Sequence, residues 1–226
     1  MAPPLGERKS SALVARTVTA VIAAPVVLGA VYVGTPLFEI LIAFMALILA
    51  MEWNRLCSGR SLWMAAGLVY ILIPCWALLH IRTNHPIGQE TLFWLLAVVW
   101  SADTGAYAFG RLIGGAKLAP VISPNKTWAG LLGGIGVSGI AGGATALILG
   151  FESIILLAGL SAAIGAVSQA GDLAESWVKR HFGVKDTGTI LPGHGGLFDR
   201  VDGLLVAAVA VAVLETVGKG KILTWM

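Results

Sequence analysis

The sequence predicts an all-α integral membrane protein of about seven transmembrane helices, with its polar site gathered on the cytoplasmic face. Three observations predict this. Of the 226 residues, 57% are hydrophobic and only 12% charged, and the mean hydropathy is +0.86. Soluble domains usually carry about twice that charged fraction. Apolar runs of spanning length recur along the chain, and the basic residues between them segregate to one side.

A spanning helix needs roughly 20 apolar residues, within about 17 to 25. Seven stretches qualify as candidates: 13–34, 36–53, 62–80, 91–111, 128–150, 153–171 and 203–218. The first follows a polar N-terminal stretch and is too long for a signal-peptide core, so no cleavable leader is expected. The second is short. The fourth carries Asp103 inside it, and the fifth is rich in glycine. The sixth runs into Gly171–Asp172, and the last follows the acids Asp199 and Asp202. Eight tryptophans, several near expected helix ends, suit the aromatic belt of a bilayer interface.

With the N-terminus inside, one side collects Arg8, Lys9, Arg16, Arg55, Arg60, Arg111, Lys117, Lys126, Lys179, Arg180, Lys185 and Arg200, which is 12 of the 15 basic residues. Arg82, Lys219 and Lys221 fall opposite. The positive-inside rule expects this bias in short loops, so the N-terminus and the two longest polar loops, 112–127 and 172–202, are expected to be cytoplasmic. The chain reads as a single polytopic domain over 1–226, with N-terminal helices in 1–100 and the chemistry-bearing helices and loops in 101–226. Cys57 and Cys75 are too few for a disulfide framework or a thiolate cage.

GIGVSG at 134–139 fits the dinucleotide pattern formally, but it lies inside an apolar span with no strand before it. Gly130, Gly134, Gly139 and Gly143 instead suit close helix packing in lipid. The chain contains no P-loop and no H-E-x-x-H.

The chemistry concentrates in 171–202, GDLAESWVKRHFGVKDTGTILPGHGGLFDRVD. If the preceding helix continues, Asp172, Glu175, Ser176 and Lys179 share one face. Asp199 and Asp202 lie one turn apart, and the glycine-rich stretch between can bring two acidic helix ends together. Acids at a membrane boundary are costly and mark function. Carboxylates without thiolates suit a hard cation such as Mg²⁺, which bridges carboxylates and substrate phosphates. Lys179, Arg180, Lys185 and Arg200 supply the positive charge a polyphosphate needs, and phosphoryl or nucleotidyl transfer requires that combination.

Two further segments contribute. In ISPNKTWAG at 122–130, Ser123, Lys126 and Thr127 can contact phosphate near a helix start, while the plainer reading is a helix cap by Ser123. In SADTGAYAFGR at 101–111, Asp103 and Tyr107 lie one turn apart in an apolar helix. Asp103 is either a functional acid or one half of a structural salt bridge to Arg16.

These residues resemble the phosphatidate cytidylyltransferase family, the CDP-diacylglycerol synthases. The resemblance rests on S-x-x-K-R-x4-K-D-x-G-x2-L-P-x-H-G-G-x2-D-R-x-D, matched at every specified position from Ser176 to Asp202. The Gly171–Asp172 pair, the SP-x-K-T-W segment, D-x-G-A-Y at 103–107 and MEWNRL at 51–56 add weaker support. Membership implies transfer of the cytidylyl group of CTP to phosphatidate, giving CDP-diacylglycerol and pyrophosphate. It implies Mg²⁺ on Asp172 and Asp199, with K⁺ able to share the site. Lys179, Arg180, Lys185, Asp186, His194, Arg200 and Asp202 then belong to the catalytic machinery. Ser123, Lys126, Thr127, Asp103, Ser176, Gly195 and Gly196 contact the substrates. Expected partners are CTP, phosphatidate and the bilayer of a bacterial inner membrane, with a homodimer allowed and no nucleic acid. A related CTP-using enzyme acting on another lipid phosphate or a polyprenol would use the same groups. An ion-coupled transporter using Asp103 and Asp172 is the reading from a different class.

Overall fold

The computed structural model describes residue 19 and residues 21–84, 86–188 and 195–218. Among the described residues there are seven helices: α1 (Val21–Val33), α2 (Leu37–Cys57), α3 (Ser61–Thr83), α4 (Gly88–Leu112), α5 (Trp128–Leu149), α6 (Ile154–His181) and α7 (Phe198–Val217). Five of these, α2 to α6, are long and apolar enough to cross a membrane. The other two differ from the sequence expectation for separate reasons. Among the described residues α1 has the length of a short helix, and α7 carries Asp199, Arg200 and Asp202 in its first turns and Glu215 near its end.

Two boundaries move in a way that matters for the site. The sixth helix, expected to stop near Gly171, continues to His181 and reaches 28 residues, about 42 Å at 1.5 Å per residue. The seventh begins at Phe198, five residues before the expected start. Both ends of the motif are therefore helical rather than loop. The segment 112–127, expected to be a loop, contains an antiparallel hairpin of β1 (Lys117–Ala119) and β2 (Ser123–Thr127), paired Lys117 to Thr127 and Ala119 to Ser123. The fold is thus helical with one small sheet set beside the site.

The helices pack α4 on α5, α5 on α6, α6 on α7, with α3 lying between α2 and α7. Trp94, Leu95, Ile164, Leu205 and Phe198 fill the interior. The outward faces stay apolar, with Leu62, Ile148 and Ile155 among the most exposed residues. Such a surface suits hydrocarbon rather than water. Small residues bring backbones together where α4 meets α5. A Cβ on Gly134 would lie 2.7 Å from the Ala102 carbonyl oxygen, and one on Gly130 would lie 2.8 Å from that of Ala106. Hydroxyls join the helices as well: Trp94 Nε1 donates to Ser161 Oγ at 2.8 Å, and Ser138 Oγ donates to the Val98 carbonyl at 3.1 Å. Gly134 and Gly139 of GIGVSG therefore serve helix contacts, Gly139 with its Cβ position 3.3 Å from the Ala158 carbonyl oxygen of α6.

One end of the bundle collects the C-terminal turns of α2, α4 and α6, the N-terminal turns of α3, α5 and α7, and the hairpin. Every described basic residue except Arg82 sits at that end. Arg82 lies at the opposite end, where its Nε donates to the Val31 carbonyl at 2.9 Å.

Candidate active site

A cavity of about 1050 Å³ opens between α4, the hairpin, α6 and α7. Its size exceeds the usual range of small-ligand pockets, roughly 300–1,000 Å³, and leaves room for a large substrate. The lining is polar and charged, in contrast to the apolar faces around it.

The extension of α6 decides the arrangement. A helix running through 172–179 sets Asp172, Glu175, Ser176 and Lys179 on one side, as the i, i+3, i+4, i+7 spacing requires. Asp172 Oδ2 pairs with Lys126 Nζ of β2 at 2.7 Å, and Ser176 Oγ donates to Asp172 Oδ1 at 3.3 Å. One turn further, Lys179 Nζ lies 2.5 Å from Glu175 Oε2 and 2.6 Å from Asp199 Oδ1. The other carboxylate oxygen of Asp199 accepts from the backbone N–H groups of Gly196 at 2.9 Å and Thr187 at 3.1 Å, and from Thr187 Oγ1 at 3.2 Å. Asp199 is thus pinned through Oδ2, and its Oδ1 holds a cation.

The remaining expected residues are placed as follows. Arg180, Lys185, Asp186, Arg200 and Asp202 all line the cavity with Ser123, Lys126 and Thr127. Arg180 also ties the hairpin to the α6 terminus, donating from Nε to the Ile122 carbonyl at 3.2 Å and from Nη1 to that of Val184 at 2.9 Å. Asp202 Oδ1 accepts from the Gly203 N–H at 2.8 Å. Asp103 of α4 accepts from Gln169 Nε2 of α6 at 3.2 Å. Asp103, Asp172 and Asp202 line the same cavity. Gly195 adopts a φ of 85°, which favours glycine, and packs against Asp199 Oδ2. His194 and Arg16, the alternative partner of Asp103, lie outside the described residues.

The helix cap expected at Ser123 is corrected. Ser123 sits in β2, and Thr127 caps α5 by accepting from the Gly130 N–H at 3.0 Å. Several residues of the region escaped sequence reasoning. Gln169 and Thr187 carry no charge to draw notice. Arg111 lines the cavity beside Tyr107, donating to its hydroxyl at 3.2 Å. Glu52 of α2 is fully buried and accepts from the backbone N–H groups of Leu197 and Phe198, both at 2.8 Å.

Two carboxylates offer donors of the kind a hard cation takes, while among the described residues no group of three or more His, Cys, Asp or Glu side chains is gathered around one point. Asp172 Oδ2 and Asp199 Oδ1 each hold a lysine ammonium at hydrogen-bond distance, and both are oxygen ligands of the type Mg²⁺ takes. Beside them stand the cations that a polyphosphate requires.

Against known proteins, the model described as "Cytidylyltransferase family" matches residues 58–217. The chain belongs to the cytidylyltransferase family. It is similar to a phosphatidate cytidylyltransferase of Brucella suis, 48% identical over 174 residues that cover 74% of this chain and 61% of that protein. A Rickettsia bellii protein of the same name is 34% identical over 209 residues, covering 89% of this chain and 90% of the relative. A Staphylococcus aureus one is 46% identical over 119 residues, covering 52% and 46%. The chain therefore spans about three fifths of the length of the Brucella protein. The family match takes in α3 to α7, the hairpin and the whole charged cavity of this cytidylyltransferase-family chain, but begins after Glu52.

Proposed function

We propose that this protein transfers the cytidylyl group of CTP to phosphatidate, forming CDP-diacylglycerol and pyrophosphate. The observation that carries this reading is the pair of carboxylate–lysine contacts, Lys126–Asp172 and Lys179–Asp199, within a cavity also lined by Arg180, Lys185 and Arg200. The names of the relatives support it.

A phosphate oxygen of phosphatidate, already anionic at neutral pH, attacks the α-phosphorus of CTP. The new P–O–P bond forms as the bond to the bridging oxygen of the β-phosphate breaks, and pyrophosphate leaves with the electron pair. No strong general base is needed. Lys126, Lys179, Arg180, Lys185 and Arg200 hold the phosphates and offset the charge gathering on the leaving group. Ser123, Thr127, Asp103, Ser176, Gly195 and Gly196 contact the substrates, Asp186 orients the basic cluster, His194 orients phosphate or the glycine turn, and Asp202 belongs to the same catalytic set. Asp172 and Asp199 would hold Mg²⁺, with K⁺ able to share the position; the metal supplies charge neutralisation at the pyrophosphate.

The protein acts as one polytopic unit in a bacterial inner membrane, with its N-terminus and the charged end cytoplasmic. The clustering of basic residues at that end supports this orientation. It is tested by placing a cysteine at the exposed Val184 and labelling intact cells; reaction with a membrane-impermeant reagent added outside would reverse the topology. The acceptor is tested by offering phosphatidate, a polyprenol, a polyprenyl phosphate and lysophosphatidate in competition for CTP. Phosphatidate should dominate the product by mass spectrometry. Dominance of a polyprenol-derived product would reassign the substrate.

A further inference from the structure

Glu52 lies outside the charged cavity and before the residues that the family model matches, yet it contacts both sides of the motif. Its side chain is wholly buried among apolar helices. Oε1 accepts from the Leu197 N–H and Oε2 from the Phe198 N–H, the first free amides of α7. Oε2 also lies 3.3 Å from Thr187 Oγ1, which is itself 3.2 Å from Asp199 Oδ2. The single Thr187 hydroxyl proton therefore sits between two carboxylates.

Two glycines make room for this acid. A Cβ on Gly188 would lie 2.9 Å from Glu52 Oε1, and one on Gly196 would lie 2.8 Å from Oε2. Any side chain at either position would push the carboxylate away. Neighbouring rings close the position: Trp53 packs on Phe198 with centroids 5.6 Å apart, and Phe198 stacks on Tyr70 at 5.6 Å.

We propose that Glu52 is a positioning residue for the reaction: acting through Thr187, Gly196 and the first turn of α7, it sets the direction of the Asp199 carboxylate. The chain of contacts is short. Glu52 fixes Leu197, Phe198 and Thr187; among the described residues, Thr187 and Gly196 in turn supply three donors to Asp199 Oδ2. Oδ1 is thereby turned toward Lys179 and the cavity. A negative charge suits the position, because it meets the positive end of the α7 dipole and two N–H groups that an apolar residue would leave unpaired. The metal half of this inference rests on the Asp172–Asp199 site proposed above; the part concerning the α7 amides does not.

The test compares full-length wild-type protein with Glu52→Gln, which keeps the volume and one acceptor oxygen. Amide hydrogen exchange is read at Leu197 and Phe198 and, as a control, in α4. Metal affinity is read from Mn²⁺ binding by electron paramagnetic resonance, which needs no turnover. Exchange should accelerate at the two α7 amides and stay unchanged in α4, and the Mn²⁺ dissociation constant should rise about tenfold or more. A loss of folded fraction alone lowers the number of sites without moving that constant. Should Glu52→Gln fail to accumulate, Thr187→Val removes the bridging hydroxyl while leaving the α7 amides bonded to Glu52, and is read by Mn²⁺ affinity alone, where a wild-type dissociation constant would overturn the proposal. Unchanged exchange, or faster exchange with wild-type Mn²⁺ affinity, would overturn the proposal. A wild type that binds Mn²⁺ yet transfers no cytidylyl group would sink the transferase reading and leave the positioning role standing.

Discussion

Lys179 on α6 and Asp199 on α7 are ion-paired at 2.6 Å, and the same ammonium reaches Glu175 at 2.5 Å. Lys179 is therefore a cation held between two buried acids on different helices. Its side chain is only 11% exposed, and that of Glu175 is 2% exposed, so neither charge is well served by solvent. The three groups join the motif's two halves before any substrate arrives.

Replacing Lys179 by Met leaves Glu175 and Asp199 without their counter-ion. Breaking a buried pair costs about 3–5 kcal/mol, so thermal unfolding in detergent should fall clearly. Adding Glu175→Gln should recover part of that stability. Activity should not return in the double variant, because the phosphate-binding cation is still missing. Recovery of both would make Lys179 structural only.

Asp199→Asn keeps the shape and loses the charge. Turnover should be abolished while the folded protein remains in the membrane, as judged by extraction and hydrogen exchange. Near-wild-type activity would remove Asp199 from the metal site.

Lys126 bridges the hairpin to α6 through Asp172. The hairpin itself is anchored independently by the strand pairing and by the Thr127 cap. Lys126→Gln should therefore fold, and kcat/KM for CTP should drop about 10- to 100-fold, the worth of a charged hydrogen bond. Unchanged kcat/KM would exclude Lys126 from phosphate binding.

Gly134 and Gly136 separate packing from mere composition. A Cβ on Gly134 meets the Ala102 carbonyl, whereas nothing lies within 4 Å of one on Gly136. Gly134→Ala should destabilise by about 1–3 kcal/mol, as overpacking does. Gly136→Ala should be neutral or slightly stabilising. Equal melting temperatures for both variants would contradict the close α4–α5 approach.

Much of this arrangement is readable without coordinates, and the reasons differ by element. Apolar runs of spanning length identify α2 to α6, because a bilayer imposes a length on them. The spacing of Asp172, Glu175, Ser176 and Lys179 already implies one helical face, and α6 supplies it. The hairpin was hidden because strands of three and five residues, mostly polar, show no alternation to detect. The early start of α7 was hidden too, since Asp199, Arg200 and Asp202 look like loop charge until something buried receives its first amides. That something is Glu52, 146 residues from Phe198 in the chain, and no local pattern links them. A buried acid inside an apolar span was the available signal.

The most direct test of the central claim is conversion of radiolabelled CTP into a chloroform-soluble product by purified protein with phosphatidate and Mg²⁺, with and without EDTA. The expected result is labelled CDP-diacylglycerol that disappears with EDTA and with Asp199→Asn. No labelled lipid from a folded preparation would contradict the transferase reading with phosphatidate, and label that survives EDTA would contradict the metal site.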